Sequence, residues 1–315
     1  MREEVVCRAS PSLALVKYWG KQSTRKNLPA TPSLAVTLGG VYTRTRVKTA
    51  PSDSIRLNEQ PVELDRFSPL FDMLRRVAGR DVHFQVETEN NFPSSAGLAS
   101  SSSGFAALTV ACARILELDL SAAQLSALAR TGSASAARSL FGGFTLLPAG
   151  GHQAEQLYGP EYWPELRILI ALASHRAKAV SSRDAMEATR ETSPYYRAWL
   201  RNAGELLGPA LRALEKRDIE ALGTVARLSY SRMHAALLAS SPPVLYWLPA
   251  TVAVIRECAH LRAGGIGAWE TLDAGPQVKV LCLDSDVEVI RERLGALDPQ
   301  LQLIVASVGE GPVCE

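Results

Sequence analysis

The sequence predicts an α+β protein of two units. Three observations carry this: strand-like patterns crowd the first half, long helical stretches follow residue 181, and 315 residues at roughly 150 per domain leave room for about two domains. Of these residues 47% are hydrophobic and 21% charged, the make-up of an ordinary globule able to bury cores. The 22 Gly and 18 Pro follow no repeat, which excludes collagen-like and low-complexity chains. Thirty-four basic against 32 acidic residues lack the basic footprint of a chain held by nucleic-acid phosphates, so no such partner is expected. Glu3 and Glu4 stand where a secretory signal needs a basic head. The longest apolar run, residues 168–173, is far below the ~18 to 20 residues that cross a bilayer. A soluble, cytoplasmic protein without a membrane partner is expected.

Along the chain, residues 36–47 place β-branched side chains in partial alternation, and residues 54–57 and 82–87 look similar. They read as strands of an early sheet, mixed or antiparallel, because no long crossover helix separates the first two. Phe105, Leu108, Ala111, Cys112, Ile115 and Leu116 recur at spacings of three and four, the stripe of a buried helix over residues 104–118. Residues 122–137 are a second helical segment, residues 144–147 a strand ending in a Pro/Gly turn, and residues 168–173 a fully apolar strand. Helical stretches then cover 183–191, 195–216, 219–239 and 249–262. Strand patterns return at 268–271, 278–283 and 303–307, with a helix over 287–294. A boundary near residue 180 divides an N-terminal unit, 1–180, from a C-terminal unit, 181–315. No Pro/Gly/Ser linker marks it, so one continuous α+β domain is the competing reading.

Cys7, Cys112, Cys258, Cys282 and Cys314 are scattered and odd in number, which predicts reduced, buried thiols rather than a disulfide framework. The five histidines form no H-x-x-x-H pair. No protein metal cage is expected; a metal would be an oxygen-bound ion carried in by a phosphate substrate.

Four segments carry candidate chemistry. Pro93-Ser94-Ser95-Ala96-Gly97-Leu98-Ala99-Ser100-Ser101-Ser102-Ser103-Gly104 joins a strand pattern to the buried helix. A serine-rich run alone suits a flexible linker, but at a helix start its unpaired N–H groups and small side chains make a phosphate cradle. It is not the G-x-x-x-x-G-K-[ST] loop. In Lys17-Tyr18-Trp19-Gly20-Lys21 two lysines suit either a solvated strand end or a phosphate or carboxylate site. Arg138 stands among very small residues, from Gly132 to Gly143, a poor setting for a merely solvated charge and a good one for gripping an anion. Asp273 precedes Ala274-Gly275-Pro276, where it is either a turn former or an acid presented by the turn.

In this order and spacing the segments resemble the GHMP family of small-molecule kinases, and within it the diphosphomevalonate decarboxylases. Val180-Ser181-Ser182-Arg183-Asp184-Ala185-Met186, Thr192-Ser193-Pro194, Met233-His234, Pro242-Pro243 and Tyr246-Trp247 add to the likeness, which runs from residue 10 to about 282. The resemblance implies the GHMP kinase fold, two α+β domains with the active site in the cleft between them, and commonly a homodimer. It implies ATP and Mg2+, phosphorylation of the 3-hydroxyl of 5-diphosphomevalonate, then loss of phosphate and carbon dioxide to give isopentenyl diphosphate. By position Asp273 matches the acid facing the 3-hydroxyl, as base or orienting group. Arg138 matches the carboxylate clamp, Ser135 a hydroxyl beside it, and Lys17 a cation at the transferring phosphoryl group. Tyr18, Lys21, Ser133, Ser182 and Arg183 match positions on the substrate diphosphate, and residues 93–103 the wrap around ATP. Two departures stand out. Thr31 replaces the Asn usual in Leu-Pro-x-Asn-x-Ser-Leu, and Ser102 and Ser103 replace Ala. Thr31 is expected near the substrate pocket, which opens the alternatives of a 5-phosphomevalonate decarboxylase or a 3-kinase that stops before decarboxylation.

Overall fold

The computed structural model describes residues 3–23, 26–92, 100–176 and 178–315. Its first sheet has the order Val313–Cys314, Glu4–Ala9, Thr43–Ala50, His83–Asn90, Ser54–Leu57, Gln60–Pro61. Neighbours run antiparallel except Ser54–Leu57 beside His83–Asn90, which are parallel. A parallel pair needs a crossover, and helix Ser68–Ala78 lies within it. The sequence reading passed over this helix, although Leu70, Phe71 and Leu74 form its buried stripe. With helix Ser100–Ile115 it covers the sheet, packing Leu70, Phe71, Phe105 and Ala111 against Val47, Phe84 and Val86.

The second sheet is ordered Glu155–Tyr158, Phe144–Leu147, Ser33–Thr37, Ser12–Ala14. Residues 36–47 therefore serve two sheets instead of one: the chain leaves Ser33–Thr37, turns through Gly40 at φ 82°, and enters the first sheet at Thr43. The helical segment expected over 122–137 also divides, into α-helix Ala122–Gly132 and the 3-10 turn Ala134–Leu140.

The third sheet, Trp269–Leu272, Val278–Leu283, Leu166–Leu172, Gln302–Ala306, is antiparallel throughout. Leu166–Leu172 is apolar along its length because both faces are covered. Ile168 and Ile170 join Leu214 and Leu222 on one side, while Leu169 and Ala171 meet Val254, Cys258 and Ile290 on the other. The boundary expected near residue 180 falls after this strand. The first of these clusters also holds Leu34, Val36 and Phe144 of the second sheet, so the halves share a core. The stretch 195–216 is two helices, Tyr196–Glu205 and Leu207–Glu215, parted where Pro209 has no N–H to continue the ladder.

Beyond the third sheet the chain returns to the first half. Gly309 N donates to Thr37 O at 2.8 Å and Gly143 N to Gly309 O at 2.9 Å, and Val313–Cys314 then pairs with Glu4–Ala9. That register sets Cys314 opposite Cys7, and the two form a disulfide. The expectation of five reduced thiols is corrected here: a partner 307 residues away leaves no trace in spacing, and only strand register brings the pair together. Cys112, Cys258 and Cys282 are free and buried. Among the described residues no helix is long and apolar enough to cross a membrane.

Candidate active site

A cleft of about 1980 Å³, part of it open to solvent, is walled by the segment after Ser12–Ala14, the 3-10 turn Ala134–Leu140, the start of helix Ser182–Thr192 and the turn after Trp269–Leu272. Lys17 enters it behind Leu15 and Val16, both fully buried. Its backbone N–H donates to Ser229 Oγ at 2.8 Å, and its ammonium donates to Ala14 O at 2.6 Å and Asp273 Oδ1 at 2.8 Å. Burial pulls Lys17 down to about 8, against the opposing pull of Asp273. Gly20, at φ 95°, turns the chain where a Cβ would meet Tyr196 Oη at 2.1 Å. Only glycine passes there, and the turn sets Tyr18 and Lys21 on the cleft wall.

Arg138 is 3% exposed. Its guanidinium donates to two neutral hydroxyls, Ser12 Oγ at 3.4 Å and Ser33 Oγ at 2.6 Å, and among the described residues it makes no ion pair. Burial brings it down to about 10. A desolvated guanidinium facing a cleft without a counter-ion is a receptor for a carboxylate or phosphate. The buried small residues Ala134, Ala136 and Ala137 keep the space around it open. Ser133 Oγ and Ser135 Oγ lie 3.0 Å apart on the same wall.

Farther along the cleft stand Lys21, Arg66 and Arg183. Burial, then Arg183 and Arg66, push Lys21 down to about 8, and desolvation together with Arg183 lowers Arg66. Lys21 and Arg66, both depressed by burial and by neighbouring positive charge, form a setting that a multiply charged anion would relieve. Lys178 bridges toward the acid: its ammonium donates to Ser182 Oγ at 2.6 Å and Ala274 O at 3.0 Å, and burial brings it to about 8.

The side chain of Asp273 is one-quarter exposed. Burial pushes its carboxyl up, Lys17 and Lys279 pull it down, and the lysines prevail, leaving it well below the usual carboxylate range. His234 Nε2 donates to Asp273 O at 3.2 Å. Burial holds this imidazole at about 4, so it is neutral at ordinary pH.

A second hollow of about 580 Å³, part of it open to solvent, with apolar walls that include Ile55, Leu57, Val86, Phe105 and Leu108, shares Arg66, Ser100 and Ser101 with the cleft. The start of helix Ser100–Ile115 thus stands where the two spaces meet. Ser102 and Ser103 turn inward, both 0% exposed, and Ser103 Oγ bonds Thr43 Oγ1 at 2.6 Å. Pro93, Ser94, Ser95, Ala96, Gly97, Leu98 and Ala99 lie outside the described residues. Thr31 is fully buried, accepting from Trp19 N at 3.2 Å and donating to Lys17 O at 3.5 Å. It braces the lysine loop from beneath and is not among the residues on the cleft wall.

Residues 9–157 match the model of the diphosphomevalonate decarboxylase-like N-terminal domain, and residues 168–307 that of the mevalonate 5-diphosphate decarboxylase C-terminal domain. The chain belongs to the diphosphomevalonate decarboxylase family. The diphosphomevalonate decarboxylase of Schizosaccharomyces pombe is 33% identical over 97% of this chain and 85% of its own length. Mevalonate diphosphate decarboxylase from Staphylococcus aureus superposes with a TM-score of 0.93 at 34% identity, covering 100% of this chain and 98% of that one. A complex of MDDEF with MVAPP, AMPPCP and magnesium gives 0.92 at 36% identity, covering 99% and 98%. The fold is accordingly the GHMP kinase fold of these decarboxylases.

The cleft of this family member gathers Lys17, Tyr18, Lys21, Ser133, Ser135, Arg138, Ser182, Arg183, Asp273, Ser100 and Ser101, all named from sequence. It does not gather Ser102 and Ser103. Sequence reasoning missed Arg66, Lys178 and Lys279. Arg66 left no signal among its charged neighbours. Lys178 stands two residues before the quoted Val180-Ser181-Ser182-Arg183 segment, and Lys279 is a lone charge in the apolar run Val278–Leu283; both could have been found.

Proposed function

We propose that the chain catalyses the ATP-dependent decarboxylation of (R)-5-diphosphomevalonate to isopentenyl diphosphate, with ADP, phosphate and carbon dioxide, through transient 3-phosphorylation. The observation that carries this reading is Arg138, a buried guanidinium that makes no ion pair among the described residues, in one cleft with the Lys17–Asp273 pair at 2.8 Å and the cations Lys21, Arg66 and Arg183. A carboxylate, a reacting hydroxyl and a diphosphate belong to one small molecule, and these three groups suit its three parts.

In this reading Arg138 holds the substrate carboxylate, assisted by Ser135. Tyr18, Lys21, Ser133, Ser182, Arg183 and Arg66 hold the diphosphate. Asp273 orients the 3-hydroxyl toward the γ-phosphoryl group of ATP, and Lys17, with Lys178 beside it, stabilises the charge that develops on that group. The hydroxyl oxygen forms a bond to phosphorus as the bond to ADP breaks, its proton passing to a phosphoryl oxygen and on to solvent. The C3–O bond then breaks with its electron pair leaving on phosphate, and the C1–C2 pair becomes the C2–C3 double bond as carbon dioxide departs. Ser100, Ser101 and the N–H groups at that helix start face the ATP phosphates, with the adenosine in the apolar cavity. Magnesium, present with AMPPCP in the complex of the similar MDDEF, would enter with the ATP phosphates and neutralise their charge.

Burial of Thr31 beneath the loop removes the reason to suspect the monophosphate. Arg138 speaks against a kinase that leaves the carboxylate alone. The test is magnesium- and ATP-dependent release of carbon dioxide from 5-diphosphomevalonate and, separately, 5-phosphomevalonate. Release from the diphosphate is expected; preference for the monophosphate, or ATP consumption without gas, overturns the reading. A homodimer is part of it, supported by the exposed Leu245, Leu248 and Val252 and checked by sedimentation velocity. So is a cytoplasmic setting, where the Cys7–Cys314 bond is the unusual feature.

A further inference from the structure

A lysine nearly sealed inside a sheet is costly unless its ammonium is paired. Lys279, 2% exposed, sits between Val278 and Val280, both at 0%, and opposite Thr271 of the neighbouring strand. Side chains alternate along strands, so Lys279 shares a face with Thr271 and, two residues on, with Asp273, within reach of a long side chain. Its Nζ lies 3.2 Å from Asp273 Oδ2, while Lys17 Nζ lies 2.8 Å from Oδ1. The two carboxylate oxygens are thus distinguished. Oδ1 meets a lysine on the cleft wall, and Oδ2 meets one that is not among the wall residues.

We propose that Lys279 is a positioning residue for the decarboxylase reaction: its ammonium fixes the Asp273 carboxylate in one orientation and in the ionised form, leaving Oδ1 to face Lys17 and the 3-hydroxyl. The inference rests on the function proposed above. Lys279 touches no substrate and acts through Asp273. A carboxylate held by two ammonium groups is a poor proton acceptor, and so it orients the hydroxyl and offsets charge instead of serving as base. The other charges facing Asp273 are Lys178 and Arg138, whose fields it feels, and the neutral His234 on its backbone carbonyl. None of these bonds Oδ2 among the described contacts. Removing Lys279 takes away one of the two cations that hold the carboxyl low. Its pKa then rises, and the protonated, inactive form appears at higher pH.

The test uses Lys279→Met, which keeps the stem without the charge, Lys279→Gln, read in the same way so that one misfolded variant decides nothing, and Lys279→Arg, which keeps the charge. Two readouts are needed: kcat and KM across the pH range, and the carbon-13 titration of labelled aspartate carboxyls, with Asp273 assigned by the resonance lost in Asp273→Asn. For the neutral variants kcat is expected to fall about 10- to 100-fold, with both KM values within about threefold. The acid limb and the Asp273 titration should both move up by about one pH unit or more. Lys279→Arg should keep both near the wild type. An Asp273 titration unchanged in the neutral variants, a fall in kcat with an unmoved acid limb, or an arginine variant matching the neutral ones would each overturn the proposal. If the wild type releases no carbon dioxide from either substrate, the proposed function falls, and the titration still decides whether Lys279 governs Asp273.

Discussion

Two acids three residues apart, Glu270 and Asp273, have the same partners in outline and opposite uses. Each is held by two cations, and both lean on helix Ile219–Leu238. Glu270 is 0% exposed; Arg227 Nε donates to its Oε1 at 2.7 Å, Tyr230 Oη to the same oxygen at 3.2 Å, and Arg262 to Oε2. Asp273 has Lys17 and Lys279, a side chain one-quarter exposed, and a place on the cleft wall. An odd offset, here three residues, between two strand positions sends their side chains to opposite faces, so one acid points into packed helices and its neighbour toward the cleft. Burial and ion pairing therefore do not mark a functional carboxylate. What separates the two is access, and the identity of the cations: arginines forked onto a closed site, lysines with movable protons at an open one.

The contrast breaks if the two acids can be exchanged in effect. Asp273→Asn is expected to lower turnover by about a thousandfold or more while an ATP analogue still binds within about threefold, measured by single-turnover assay and titration calorimetry. Near-normal turnover would remove its assigned role. Glu270→Gln should do the reverse. Removing the charge of a fully buried carboxylate from two partly exposed arginines costs about 1–3 kcal/mol of stability, read from denaturant unfolding, with kcat within about threefold below the melting range. A catalytic loss at unchanged stability would show that Glu270 belongs to the site.

The same contrast explains how much could be read in advance. Arg138 was legible because a large cation among alanines and serines contradicts its surroundings, and Lys17 and Asp273 because their segments resemble a family. The third sheet was legible because its central strands, Leu166–Leu172 and Val278–Leu283, are almost wholly apolar. Glu270 and Lys279 were visible as single charges in strand patterns, but such a charge says nothing about which residue of a neighbouring element will neutralise it. The Cys7–Cys314 bond and the division of residues 36–47 between two sheets depend on register between distant strands, which no local pattern encodes. Helix Ser68–Ala78 did carry helical spacing, with Leu70, Phe71, Leu74 and Val77 recurring at three and four, and was legible though passed over.

Within the cleft the comparison sharpens between chemistry and grip. Arg183 stands with Lys21 and Arg66, away from the Lys17–Asp273 pair, so Arg183→Ala should raise KM for 5-diphosphomevalonate about tenfold with kcat within about threefold. Steady-state kinetics at saturating ATP measures this. An unchanged KM takes Arg183 out of the diphosphate site, and a fall in kcat alone would move it toward the reacting centre.

The smallest expected effect concerns protons. In the free protein burial holds Lys17, Lys21 and Lys178 at about 8. A bound diphosphate and carboxylate bring negative charge to those lysines and raise their pKa values toward the ordinary lysine range. Near pH 8 the free lysines are partly deprotonated and the bound ones are not, so substrate binding must take up protons. Near pH 6 both states are protonated and the uptake must vanish. Titration calorimetry with 5-diphosphomevalonate in two buffers of different ionisation enthalpy measures the number directly. Net uptake of roughly one proton at pH 8, reduced in Lys21→Met and unchanged in Arg227→Met, is expected from the cleft lysines. Proton release at pH 8 would mean that the substrate anions do not reach these lysines, and the distinction drawn between the lysine-held acid and the arginine-held one would lose its functional meaning.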